Sequence, residues 1–369
     1  MILRAALVAL ALVLATAPAE AEVLHVDPTR DGAYRTVEAA LDAAAPFDVI
    51  RIAAGVWHTA VEIDKSIVIE GASGGSEPTI FDGEGVRRAF TVASPDVDVT
   101  LRHLQVHNGF SSYDAGAIFV RDGAKVTVED SSFFDCYASY DGGVGQVRHP
   151  GSVLRFERCL FRGNRSIHNA GAVNAILAAR LEIVDCGFLD NSSEIISGAV
   201  AVNNGVLEVS GSVFRRNSAE HVGAIHIVEA WASVTNCTFD MNAGDVGTML
   251  ANQQSIVTVE RNIFADEQRG VGLEVRRATQ AVRSCNLFWS NAKGAIAGGD
   301  LGPGSRRADP RFCDPNADEP DLTLWAMSPA AAVFSACGER IGAYPVTCRL
   351  PDGGAQEVVY WDPLQSRRR

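Results

Sequence analysis

The chain is predicted to be an all-β solenoid, a right-handed, single-stranded parallel β-helix, on three observations. First, a Phe followed three residues later by an Asn recurs as Phe161 and Asn164, Phe188 and Asn191, Phe214 and Asn217, and Phe239 and Asn242. Val106, Phe133, Phe264 and Leu287 continue the Phe slot, so that the eight positions step by 27, 28, 27, 26, 25, 25 and 23. Second, a glycine marker keeps phase with the first: Gly116-Ala117-Ile118, Gly143-Val144, Gly171-Ala172-Val173, Gly198-Ala199-Val200, Gly223-Ala224-Ile225, Gly247-Thr248-Met249 and Gly272-Leu273. Self-similarity at a near-constant period is the mark of a solenoid. Third, the segments between markers are short and alternate apolar with polar residues, as in Val126-Thr127-Val128, Leu181-Glu182-Ile183, Leu207-Glu208-Val209 and Val257-Thr258-Val259. A period of two means strands, and no stretch between coils has room for a helix. Parallel crossovers are nearly always right-handed.

The elements follow in order. Arg4 and the apolar run Ala5–Ala15, with small residues up to Ala21, read as a signal peptide over residues 1–21. Residues 22–60 form an N-terminal cap and first strand: Thr36 is placed to N-cap a short helix over residues 37–44, which Pro46 ends. Residues 61–308 are the coils, the last stretch from 292 being an exit loop. Residues 309–350 form an irregular C-terminal cap rich in turn signals such as Asp309-Pro310, Asp314-Pro315 and Ser328-Pro329. Residues 351–369 are a polar, flexible tail. No later segment reaches the length of a transmembrane helix, so the protein is expected outside the cytoplasm, as a monomer.

Each slot has a physical meaning. Phe points inward into a stack. Asn bonds the backbone and the Asn of the next coil. Gly allows a tight corner or a positive φ. The slot two before the Phe holds small residues, among them Cys159, Cys186, Cys237 and Cys285, expected as free buried thiols because stacked neighbours sit beyond disulfide reach. Cys337 and Cys348 are the expected disulfide, with Cys313 as a competitor.

The pairing of Gly-Ala-Ile/Val with Phe-x-x-Asn resembles the repeat of the polymorphic outer-membrane proteins, within the pectate-lyase-like β-helix superfamily. The stretch from the helix through Ile50-Arg51-Ile52 and Ala54-Gly55-Val56-Trp57 to Ile80-Phe81-Asp82-Gly83 is similar to the opening of pectin-esterase-like proteins. The polymorphic family often carries an autotransporter barrel, for which this chain has no room. The resemblance implies a fold rather than a function, and the superfamily's short catalytic signatures (Asn-Thr-Asp, Gly-His-Gly, Trp-Ile-Asp-His) are absent from the sequence.

A formal charge of −13 argues against a nucleic-acid partner, which requires a basic face. The slot two before the corner glycine stacks Asp114, Asp141 and Asn169 on successive coils. Paired carboxylates suit general acid-base work or a Ca²⁺ ion, while Asp and Asn before Gly are also what turns prefer. His168 and Arg148 lie near the same edge and complete the candidate catalytic set. Tyr113, Tyr137 and Tyr140, with Asn169, form a candidate platform for sugar rings. Two functions are expected from this: a secreted module binding polysaccharide or a cell-surface glycan, with no resident cofactor, or a lyase or glycoside hydrolase acting on an acidic polysaccharide with Ca²⁺ at Asp114 and Asp141.

Overall fold

The computed structural model describes residues 21–75, 77–276, 279–317 and 321–348; the expected signal peptide up to residue 20 and the expected tail lie outside the described residues. Among those described, three parallel sheets of 11, 11 and 10 strands run along a right-handed solenoid, with a four-stranded minor sheet at one corner. One turn passes from Lys125–Glu129 in the first sheet to Ser132–Phe134 in the second, Tyr137–Ala138 in the minor sheet and Gly145–Arg148 in the third. It returns to the first sheet at Val153–Glu157, in parallel register with Lys125–Glu129.

The Phe slot is the centre of the core. Phe161, Phe188, Phe214, Phe239, Phe264 and Phe288 are fully buried and stack nearly face to face, with centroids 4.4 to 5.2 Å apart. That spacing is the strand separation, so the rings are held in contact by the same register that pairs the strands. The Asn slot behaves likewise. Asn164 Nδ2 donates to Asn191 Oδ1 at 2.9 Å, Asn191 to Asn217 at 2.9 Å and Asn217 to Asn242 at 3.0 Å, and each also donates to a backbone carbonyl. A buried carboxamide is tolerable only because each is satisfied in this way.

The corner glycines are required by close approach rather than by φ. A Cβ on Gly143 would come within 2.2 Å of Gly171 O, and one on Gly171 within 2.3 Å of Gly198 O. Backbone passes over backbone there, with no space for a side chain.

At the N-terminal end, α1 (Val37–Ala43) turns Val37, Ala40 and Leu41 onto the first coil, and Thr36 Oγ1 accepts from Ala39 N at 3.2 Å. Lys65 Nζ closes the other end of the helix by donating to Leu41 O and Ala44 O at 2.9 and 3.1 Å, a cation meeting unpaired carbonyls.

The C-terminal end departs from expectation in two ways. Residues 309–348 do not plug the last coil. Phe312–Asp314, Asp321–Trp325 and Val346–Cys348 form a separate three-stranded sheet. It packs Phe312, Leu322 and Leu324 against Val213, Ile263 and Leu287, on the outer side of the second sheet. Beneath it, buried Arg215 pairs with buried Asp240 and donates through Nη2 to Pro315 O at 2.9 Å. The exit loop closes the end instead, Leu301 packing against the main core.

The disulfides also differ. Cys337 does not pair with Cys348; the bonds are Cys285–Cys337 and Cys313–Cys348. The reason is a one-residue slip in the last coil. Phe288, not Leu287, occupies the inward slot opposite Phe264. Cys285 therefore leaves the cysteine column, takes the left-handed corner conformation with φ 59°, and faces outward toward the C-terminal unit. A slip of one residue reverses the face of every side chain in a strand. Cys159, Cys186 and Cys237 remain in the column, free and buried, and burial pushes the Cys237 thiol up to about 12.

Candidate functional site

The candidate site lies where the minor sheet turns into the third sheet. Successive coils place Asp114, Asp141 and Asn169 there in a column: Ala115 N donates to Asp141 O at 3.0 Å and Gly142 N to Asn169 O at 2.9 Å. The structure thus brings together Asp114, Asp141, His168, Asn169 and Arg148. Asp141 is the best satisfied. Its Oδ1 accepts from Asn169 N at 2.9 Å and lies 3.2 Å from His168 Nδ1, and its Oδ2 accepts from Asn174 Nδ2 at 2.9 Å. His168 Nδ1 also lies 3.0 Å from Asn169 Nδ2, so it donates to Asp141 in one tautomer and accepts from Asn169 in the other. Asp114 is poorly satisfied. Arg148 Nη1 is 3.9 Å from its Oδ2, and its buried Oδ1 has no hydrogen-bond partner. Burial, then the neighbouring Asp141 charge, raises the Asp114 carboxyl above its ordinary range. Burial also raises Asp141, with His168 opposing it.

Two aromatic columns flank the carboxylates. Tyr113, Tyr140 and His168 stack on successive coils, Tyr113 to Tyr140 at 5.2 Å and 1°, Tyr140 to His168 at 4.7 Å and 8°. The tyrosines are 60% and 40% exposed, so this is a surface stack. Tyr137 belongs elsewhere. It stacks on Phe110 at 6.0 Å, and the pair lines a separate 330 Å³ cleft with Asp82 and Asp135.

Four neighbours escaped the sequence reading. Phe119, Gln146 and Asn174 share one outward register slot of the third sheet. Counting three residues on from each corner glycine would have found that column. Arg88 carries no such signal, because it sits in an irregular early coil. Its Nη2 donates to Asp114 O at 2.5 Å and its Nε to Ala115 O at 2.7 Å. The guanidinium groups of Arg88 and Arg148 lie 4.8 and 5.2 Å from the Phe119 ring centroid, within cation–π range. Gln146 is fully buried with both amide atoms unpaired.

The donor set does not suit Ca²⁺. Such an ion takes six to eight oxygens, whereas both Asp141 oxygens already meet N–H donors and a guanidinium faces Asp114. No group of three or more His, Cys, Asp or Glu gathers as a metal site among the described residues. Among them also, no helix is long and apolar enough to cross a membrane.

Neither protein-family models nor curated proteins give a match to the chain. Solved structures do. A family-PL6 alginate lyase is similar at 13% identity and TM-score 0.27, covering 90% of this chain and 60% of its own. The catalytic domain of an α-1,3-glucanase is similar at 13% identity and TM-score 0.37, covering 80% and 69%. Pectin methylesterase from Erwinia chrysanthemi is similar at 10% identity and TM-score 0.35, covering 78% and 92%. This chain spans 60% of the length of that alginate lyase. At this level of similarity no activity of these proteins transfers to the chain.

Proposed function

We propose that the protein is an exported, monomeric β-helix module that binds a polysaccharide or cell-surface glycan on the corner carrying Tyr113, Tyr140 and His168. The observation that carries this reading is the exposed ring stack. Three rings stacked face on face lie in register on a rigid scaffold and present their edges and the two tyrosine hydroxyls along the corner, beside Asn169 and two guanidinium groups that can meet hydroxyl and carboxylate oxygens. Rigid aromatic rings bring contact area with little side-chain entropy to lose. Because the coils fix the rings, the site is formed before ligand arrives.

One observation favours a second reading. The Asp141–His168 contact and the Asp114 carboxyl, raised above its ordinary range by burial and then by Asp141, resemble a carboxylate-held histidine beside a second carboxyl group placed for proton transfer. That arrangement would serve a lyase or hydrolase on an acidic polysaccharide. Asp114 and Asp141 are 4% and 5% exposed, however, so a sugar reaches neither without a local opening. Binding is therefore the primary reading.

Retention on immobilised neutral and acidic polysaccharides, with and without Ca²⁺, tests it. A Tyr113→Ala/Tyr140→Ala variant is expected to lose at least tenfold in retention on the glycan that binds wild type. Unchanged retention in that variant overturns the ring-stack reading. Release of reducing or unsaturated ends that disappears in Asp114→Ala/Asp141→Ala would replace the binding reading with the enzyme.

A further inference from the structure

Residues 325–338 carry no charge over 14 successive positions, although 21% of the chain's residues are charged. A stretch of that composition ordinarily lies in a core, yet here it lies on the surface of the C-terminal unit. Met327 is 63% exposed, Val333 87% and Phe334 47%, and Ala326, Ala332 and Ala336 are exposed with them. The segment is anchored in this position. Arg306 Nη2 donates to Pro329 O and, at 2.5 Å, to Phe334 O, and Arg311 Nη1 donates to Met327 O at 3.2 Å. Cys337 is bonded to Cys285. An apolar stretch held outward marks a surface on which something packs.

The chain itself supplies the nearest cover. The described residues stop at Cys348, and Cys348 O accepts from Ala326 N at 3.2 Å. The residues that follow therefore start at the near end of the exposed segment. They hold one apolar run, Val358-Val359-Tyr360-Trp361, set between Glu357 and Asp362. Val358 is ten residues beyond Cys348, and Phe334 is eight beyond Ala326. A chain spans at most about 3.5 Å per residue, so the run can reach any point of the segment. The charges are complementary too. Two guanidinium groups lie against the segment, and no acid within it offsets them. The acids nearest in sequence are engaged: Asp309 Oδ1 accepts from Arg311 N at 2.7 Å, and Glu339 pairs with Arg261 at 3.3 Å. Glu357 and Asp362 bring the opposite sign to either end of the apolar run. A tethered segment acts at an effective concentration on the order of millimolar, which favours it over any free partner of similar chemistry.

We infer that residues 357–362 pack back onto residues 326–334 of the same chain. The run 358–361 covers Met327, Val333 and Phe334, and Glu357 and Asp362 meet Arg306 and Arg311. The stretch expected to be a polar tail then holds a docking segment that completes the small core of the C-terminal unit. This contact shares no residue with the ring stack and does not rest on the glycan reading.

Hydrogen exchange of the full chain, read by mass spectrometry, tests the inference. In wild type, residues 357–362 are expected to exchange at least tenfold more slowly than a free peptide of the same sequence. Val333→Asp/Phe334→Asp places charge at two exposed positions and should keep wild-type thermal unfolding, while bringing residues 357–362 to the free-peptide rate. The reciprocal variant, Val359→Asp/Trp361→Asp, should speed exchange at residues 331–336 and leave Phe188 slow. Protection in wild type should not change on dilution, and wild type should not sediment with vesicles of equimolar phosphatidylcholine and phosphatidylglycerol. Four outcomes overturn the inference. Free-peptide exchange of residues 357–362 in wild type shows that they do not dock, and protection that survives Val333→Asp/Phe334→Asp shows that they dock elsewhere. Protection lost on dilution assigns the surface to a second copy, and sedimentation of wild type assigns it to lipid.

Discussion

The regular coils and the C-terminal unit reach stability by opposite means. Each coil repeats one set of contacts with its neighbours, a ring on a ring and a carboxamide on a carboxamide, with no cross-link within the column. Repeat arrays sum such nearest-neighbour terms. The C-terminal unit has three short strands and a small apolar patch borrowed from the solenoid side. It is held by specific, singular contacts: the bonds Cys285–Cys337 and Cys313–Cys348, and the Arg215–Asp240 pair that reaches Pro315. A small unit with little core needs such staples. Repetition spreads the stabilising interactions over many equal positions, whereas the unit concentrates them in a few.

The largest expected effect is in the coils. Phe188→Ala removes a ring stacked at 4.4 Å on one side and 4.7 Å on the other, and is expected to lower stability by about 3–5 kcal/mol, read as a shift of the urea midpoint by far-UV circular dichroism. A loss near that of a surface substitution would show that neighbouring coils relax into the gap, and the contrast between the regions would weaken. Next comes the staple. Cys285→Ser/Cys337→Ser is expected to remove about 2–4 kcal/mol from the C-terminal unit alone. Hydrogen exchange should then accelerate at Leu322–Leu324 and stay slow at Phe188. Equal acceleration at both places would mean that the two regions unfold as one.

The smallest effect lies at the candidate site. The fold raises the Asp114 carboxyl, first by burial and then through Asp141, so the folded state favours its protonated form. That contribution is fully present below the unfolded value of about 3.9 and is lost as pH rises through the higher folded value. At neutral pH the ionised carboxylate therefore opposes folding. Asp114→Asn should raise Tm at pH 7 by roughly 1–3 °C, and the gain should vanish near pH 3. A drop at pH 7 would show that the Arg148 contact outweighs the burial.

Much of the fold was legible because a repeated slot is read many times over. Phe161 through Phe264 and the Asn column confirm one another, so a single ambiguous residue does little harm. The last coil shows the limit. Leu287 and Phe288 are both apolar neighbours, but only Phe288 has an Asn three residues on, Asn291, so the Phe-x-x-Asn spacing was the signal that assigning the slot to Leu287 passed over. That one choice moved Cys285 from the column to the corner and changed its partner. The C-terminal unit was visible as a turn-rich segment, but its docking side depends on Val213, Ile263 and Leu287, which repeat logic assigns only to a sheet exterior. At the candidate site the column Asp114, Asp141 and Asn169 and its neighbour His168 were legible from glycine phase. Tyr137 falls in a different column from Tyr113 and Tyr140, and proximity in sequence, within one loop, does not separate two columns of a coil. Arg88 was invisible because its coil lacks the markers.

The corner glycines give the molecule a natural unit of length. Where Gly143 and Gly171 bring one coil's backbone onto the next, neither path can lengthen by a residue without losing that contact. A deletion from just after Phe188 through Phe214 removes one whole coil and returns ring, carboxamide and glycine to their slots. Gain or loss of chain is therefore tolerated in whole turns, in the loops between sheets, or as a local bulge such as the one between Val222 and Ile225, where one extra residue is absorbed without shifting the strand that follows. Shorter and longer versions of this scaffold would keep the same two ends and differ by an integer.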